Sequence, residues 1–278
     1  MTEGHDGPRL DALTPPEMAE RAEAVGVAKA SLPTSTTFVL AVLAGAFIAL
    51  GGMFSQAVAA GGPGALPWGV WRLVVGTAFS LGLVLVVVGG AELFTGNVLL
   101  VMAWSSGRLR AGAVLRNWAV VLLGNAVGAL GTAALAVAAG HHRLGAGAVG
   151  AAALAAAEAK CDLPFVRAFA LGVLCNTLVC LAVWLNMSAR TAADRVLVTI
   201  PPIAAFVTCG FEHSVANLYL VPVALLARDV GGLDAAAAPH LAWDRFLVGN
   251  LLPVTLGNVV GGAVLVGAVY AFVYLRRR

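Results

Sequence analysis

Cys209-Gly210-Phe211-Glu212-His213-Ser214-Val215-Ala216-Asn217 lies inside an apolar stretch that runs from Val196 to Ala227. One membrane crossing by a helix takes about 20 apolar residues, and this stretch is far longer. A second overlong stretch, Leu73 to Gly107, has Gly89-Gly90-Ala91-Glu92-Leu93-Phe94-Thr95-Gly96-Asn97 near its middle. Neither a carboxylate nor an imidazole belongs at mid-depth on a lipid-facing helix. Irregular backbone at that depth is tolerated where it is buried in protein or lines a cavity. Both stretches therefore read as broken helices.

Around them, Thr37–Ala60, Asn117–Gly140, Ala168–Ala189 and Phe246–Phe272 contain no charged residue, which makes six spans in all. The composition agrees. The chain has 278 residues, 60% hydrophobic and 11% charged, against roughly 25% charged in a soluble domain. Too few polar side chains are present to cover a water-soluble protein, which excludes a cytosolic enzyme. A net charge of +3 is too small and scattered for a nucleic-acid partner. Cys161, Cys175, Cys180 and Cys209 form no CxxC pair and read as small buried hydrophobes. Thr14-Pro15-Pro16-Glu17 opens a short, weakly amphipathic helix to about Lys29, expected at the membrane surface. The expected domains are a cytoplasmic segment 1–34, a pore domain 35–275 and a basic tail 276–278.

The halves repeat. Glu92 and Asn97 are five apart, as are Glu212 and Asn217; Asn117 and Asn125 are eight apart, as are Asn250 and Asn258. Gly124-Asn125-Ala126-Val127-Gly128 matches Gly257-Asn258-Val259-Val260-Gly261. Three spans per repeat is an odd number, so the second runs upside down relative to the first. Inverted repeats with paired broken helices put a substrate path at their interface near the midplane. The fold class expected is an all-α membrane protein of six transmembrane helices in an inverted three-plus-three repeat. Of the Lys and Arg residues, eleven fall on the side of the termini and six on the other, so both termini are expected in the cytoplasm.

Four motifs in order carry a family resemblance: Ala91-Glu92-Leu93-Phe94-Thr95; Gly172-Val173-Leu174-Cys175-Asn176 through Cys180-Leu181-Ala182-Val183-Trp184; Gly210 through Asn217; and Asn250-Leu251-Leu252-Pro253-Val254-Thr255-Leu256-Gly257-Asn258. From roughly Ser35 to Leu275 the chain resembles the formate/nitrite transporter family. The resemblance implies an aquaporin-like fold in the cytoplasmic membrane and a homopentamer with one pore per protomer. It also implies small monovalent anions as substrates, with formate first and nitrite next. Hydrosulfide, acetate and lactate are the variants within the family. Residue by residue, His213 resembles the midplane histidine with Glu212 beside it, and Thr95 the threonine of the mobile loop. Lys160 resembles the outer-vestibule lysine, with Asn176 behind it. The apolar constrictions match Phe79 with Leu83 on one side and Phe206 on the other.

Each of these residues also has a plainer reading. An ionisable residue at membrane depth is a functional candidate by default, which favours a working His213. Glu92 and Glu212 read as scaffold, since a bare carboxylate would repel an anion. Thr95 also reads as the cap of a short helix beginning near Gly96. Nothing but the resemblance marks Phe79 and Phe206 among eleven phenylalanines. Lys160 has the sign to concentrate anions. Gly145-Ala146-Gly147-Ala148-Val149-Gly150 fits GxGxxG but has no strand before it and no acidic residue at the required distance. His141 and His142 are adjacent, with no third ligand beside them. No metal or other cofactor is expected. The rival classes are a neutral-solute channel and a membrane-embedded enzyme. Asn-Pro-Ala, the usual mark of the first, is missing from the sequence, and the second lacks a nucleophile.

Overall fold

A computed structural model describes residues 11–64 and 66–276, and among these the fold is helical with no strand. Residues 1–10 of the expected N-terminal segment, with Arg9, lie outside the described residues, as do Arg277 and Arg278 of the basic tail. The main helices among the described residues are α1 Pro15–Ala30, α2 Thr34–Ala59, α3 Trp68–Gly89 and α4 Phe94–Ser105, α5 Ala111–Ala138, α6 Ala148–Cys161, α7 Phe165–Ser188, α8 Ala192–Thr208, α9 Ser214–Asp229 and α10 Arg245–Tyr274. By length and composition α2, α3, α5, α7 and α10 can cross a membrane. The remaining apolar length is divided between α8 and α9, of 17 and 16 residues.

The overlong stretches are interrupted where glycine and a charged residue coincide. α3 ends at Gly89 and Gly90 takes φ +77°, while α8 ends at Thr208 and Gly210 takes φ +71°. That left-handed backbone carries little strain for glycine and stops the helix.

Glycine also sets the closest helix crossings. A Cβ at Gly45 would lie 2.1 Å from the Asn125 carbonyl oxygen, and one at Gly128 2.0 Å from that of Val42, so α2 and α5 touch backbone to backbone. The α7–α10 crossing repeats this through Gly257 and Gly261, each 2.2 Å from a carbonyl oxygen of α7. Small residues at such crossings let apolar helices gain dispersion contact without a solvent-driven force.

α1 docks onto the rest of the chain through one face. Met18, Ala19, Ala22, Gly26 and Ala30 form a buried stripe at helical spacing, the first three packed with Val98, Val101, Met102 and Trp184 and Ala30 with Leu100 and Val114. Small residues give this face little amphipathic contrast, yet they allow close docking onto α4, α7 and α10. The capping box holds as expected, with Thr14 N–H donating to Glu17 at 2.8 Å. Cys161, Cys175 and Cys180 are buried and Cys209 is exposed.

Candidate functional site

A helix break frees backbone groups that cannot stay unpaired away from water. One asparagine closes each break. Asn125 donates through Nδ2 to the carbonyls of Ala41 (2.7 Å) and Glu92 (2.9 Å), and its Oδ1 accepts from Phe94 N–H (2.9 Å). Asn258 donates to the carbonyls of Gly172 (2.8 Å) and Glu212 (3.0 Å) and accepts from Ser214 N–H (2.9 Å). Glu92 N–H reaches Leu40 O and Glu212 N–H reaches Leu171 O. The asparagines that the sequence shows eight residues apart from their partners thus brace the starts of α4 and α9 from a neighbouring helix. Thr95 is not a cap: α4 begins at Phe94, and Asn125 holds that end.

Each break also carries a carboxylate in a cage. Glu92 pairs with Lys29 Nζ at 2.9 Å and accepts from Asn97 Nδ2 at 2.6 Å, while Asn97 in turn donates to Asn117. Glu212 pairs with Lys160 Nζ at 2.7 Å and accepts from Asn217 at 2.7 Å and Asn250 at 3.1 Å. Both glutamates are buried, and each carboxylate oxygen has a partner. Lys29 was not singled out in the sequence, where it counts as one more N-terminal charge. Its signal is the spacing. Lys29 and Lys160 are separated by the same interval as Leu40 and Leu171, which accept from the two glutamate N–H groups. α1 and α6 thus each carry a lysine to one of the two glutamates.

The repeat fails at the centre. Where the second half has His213 the first has Leu93; Thr95 corresponds to Val215, and Asn176 to Gly45. Those three polar residues meet. His213 Nδ1 accepts from Ala216 N–H (3.0 Å), which leaves the ring proton on Nε2, 2.9 Å from Thr95 Oγ1. Asn176 Nδ2 donates to the carbonyls of Thr95 (3.2 Å) and Asn258 (2.7 Å). Asn176 thus stands behind the Thr95 loop, rather than behind Lys160 where the resemblance put it. The Sγ of Cys180 lies 3.3 Å from the same Thr95 oxygen.

Two cavities flank this contact and share no lining residue among those described. The larger, about 740 Å³, is lined by Arg72, Phe79, Lys160, Phe206, Glu212 and His213. The smaller, about 270 Å³, is lined by Lys29, Leu83, Glu92, Gly96 and Asn97 among others. Phe79 and Phe206 meet edge to face at 5.7 Å, and the Phe206 ring stacks on His213 at 5.8 Å. This corrects the expected arrangement: both phenyl rings close the larger cavity, and Leu83, one turn further along α3, faces the smaller. The cause is the α3–α8 crossing, where a Cβ on Gly76 would fall 2.6 Å from the Ala204 carbonyl oxygen, so the two helices present their rings to the same point.

The other motifs stay outside the site. Gly145–Gly150 is a turn leading into α6 and follows a helix, not a strand. The His142 ring contacts Gly231 O at 3.2 Å. No group of three metal-ligating side chains occurs among the described residues.

Comparison with known proteins gives one answer. Residues 16–272 match the pattern of the formate/nitrite transporter family. The chain is 42% identical over 275 residues to the formate channel FocA of Escherichia coli strain K12, covering 96% of each chain. It is 37% identical to a probable formate transporter of Methanothermobacter thermautotrophicus, with 95% and 97% covered. A solved pentameric formate channel with formate bound superposes with a TM-score of 0.81 at 41% identity, covering 87% of this chain and 98% of that one. With Thr95, Asn176 and His213 brought together by the two breaks, the chain belongs to the formate/nitrite transporter family, a family of multi-pass membrane transporters and not of enzymes.

Proposed function

We propose that the protein conducts small monovalent anions, formate first and nitrite second, through a pore in each protomer of a homopentamer in the cytoplasmic membrane. The observation that carries this reading is the Thr95–His213 hydrogen bond, which stands between two cavities that each hold one Lys–Glu pair. A bare anion loses many kcal/mol of hydration in an apolar constriction. Lys160 and Lys29, each balanced by its glutamate, offer ammonium N–H donors at the two mouths without a net repulsive charge. The Phe79–Phe206 pair and Leu83 limit the size of what passes. Beyond them the anion meets His213 Nε2–H, a donor released when Thr95 gives up its bond. A proton taken up near that point lets the substrate pass as a neutral acid.

The architecture belongs to the same proposal. Six crossings, with α3–α4 and α8–α9 as broken spans, form two inverted three-plus-three halves. α1 covers the smaller cavity on the cytoplasmic face, where residues 1–34 and the tail from 276 also lie, and residues 35–275 form the pore.

Swelling of proteoliposomes in isotonic formate against isotonic glycerol tests the function. Rapid swelling in formate and none in glycerol is expected; the reverse would assign a neutral-solute channel. A competitive uptake panel of formate, nitrite, hydrosulfide, acetate and lactate then ranks the anions, and a preference for hydrosulfide or lactate would displace formate.

A further inference from the structure

Arg72 is a half-buried cation that the anion path just described does not use. It lies two turns before Phe79 on α3, and its guanidinium crosses to the end of α8. There Nε donates to Thr208 O at 3.2 Å and Nη2 donates to Val207 O. These are carbonyls of the last turn of α8; Val207 O also accepts from Gly210 N–H at 3.1 Å, and the guanidinium brings a charged donor to both. A fixed positive charge at a helix C-terminus is favourable in addition. The guanidinium also stands 5.9 Å from the centre of the Trp68 ring, which fixes its other side. The backbone turn itself is the same at both breaks, with Gly90 and Gly210 left-handed and Ala91 N–H on Val86 O as Phe211 N–H is on Phe206 O, so the Arg72 fork is an addition to the second.

The residue immediately before the clamped carbonyls is Phe206. Its ring touches Phe79 at 5.7 Å and His213 at 5.8 Å. Arg72 and Phe79 are seven residues apart on one rigid helix, a separation of about 10 Å along its axis. One end of that length grips the backbone next to Phe206, and the other carries the ring that Phe206 meets. Arg72 thus ties the backbone next to Phe206 to the helix that carries Phe79, beyond the Gly76 crossing.

We propose that Arg72 is a positioning residue for anion size selection: its planar fork holds the end of α8 so that Phe206 closes against Phe79. Lysine keeps the charge and loses the fork, so it cannot hold two carbonyls in this geometry. The competing role is electrostatic, because Arg72 lines the same cavity as Lys160. The two roles differ in what they change. An attracting cation alters flux at low ionic strength and leaves the size cut-off alone.

The proposal rests on the anion-transport reading and is tested on the full chain in proteoliposomes. Formate and acetate uptake are measured in the same vesicle preparations for wild type, Arg72→Lys and Arg72→Gln, each with Phe206 and with Phe206→Ala. Taking the acetate-to-formate ratio cancels differences in the amount of assembled protein, and having two Arg72 variants guards against one that fails to fold. The expected result is an acetate-to-formate ratio raised about tenfold by either variant, the discrimination carried by roughly one methylene. The rise is equal at low and high salt, and it is absent where Phe206 is already alanine. An unchanged ratio, a formate deficit confined to low salt, or full additivity with Phe206→Ala would overturn it. A wild type that takes up neither anion would overturn the transport reading as well, which separates the two failures.

Discussion

His213 is held by two bonds of opposite sense, and the difference between them defines the first test. Nδ1 accepts from Ala216 N–H at the start of α9, while Nε2–H points at Thr95. Asparagine is a strong N-cap and can keep the first bond, but it is too short for the second. His213→Asn should therefore fold, lose proton-gradient dependence and pass formate at least about tenfold more slowly, the worth of a hydrogen bond to a charged group. Labelled formate uptake with and without a proton gradient is the measurement; curves that superimpose on wild type would remove His213 from the path. A second test concerns Lys160 and Glu212, whose side chains are 16% and 5% exposed. Removing one partner of such a pair strands the other charge and costs about 3–5 kcal/mol, whereas removing both is far milder. Lys160→Met and Glu212→Gln should each lower the thermal midpoint in detergent more than the double variant does, and simple additivity would refute the pairing. His213 and Glu212 were legible in the sequence because a charge in an apolar stretch needs a reason. Lys29 was hidden because it sits in a polar segment, and its meaning comes only from where α1 docks.

At the level of helices, the glycines divide into those the packing uses and those it does not. Gly128 and Gly261 lie against carbonyl oxygens at 2.0 and 2.2 Å from a would-be Cβ, while nothing lies within 4 Å of the corresponding point at Gly131. Gly128→Ala and Gly261→Ala should push α2 from α5 and α7 from α10, loosening the Asn125 and Asn258 brackets, with losses of about 1–3 kcal/mol as for overpacked cores. Gly131→Ala should be neutral or stabilising by up to about 1 kcal/mol. Thermal unfolding monitored by circular dichroism ranks the three, and equal midpoints would contradict the close approach. α1 gives a parallel test. Lys29→Met should destabilise in the same direction as Lys160→Met, because it strands Glu92 in the same kind of cage. An unshifted midpoint would make α1 a loosely attached element. The broken helices were readable from length, glycine and charge together. The meeting of Phe79 and Phe206 was not, since the crossing of α3 and α8 depends on Gly76, one glycine among 33.

For the molecule as a whole, large apolar side chains remain exposed along several helices, among them Leu123, Val127, Leu135, Leu247, Val264 and Phe272. Apolar surface on that scale is covered by lipid or by other copies of the chain. Under the pentameric reading, native mass spectrometry in detergent should release five copies of the 28.2 kDa chain, and a stable monomer or dimer would refute it. Some of this protein was fixed by its sequence alone: a helical membrane protein, two broken helices, a duplicated polar pattern, and a histidine in one break. These are one-dimensional properties. Apolar length has to match bilayer thickness, a buried charge has to have a partner, and a repeat shows as an interval between identical residues. The tertiary structure decided what intervals cannot carry. It placed Lys29 on Glu92, moved Asn176 behind Thr95, set both phenyl rings on one cavity, and gave Arg72 the end of α8. Each of these depends on how closely two helices approach and at what angle. Steric contact between small residues far apart in the chain sets that approach, and it leaves no periodic trace along either helix.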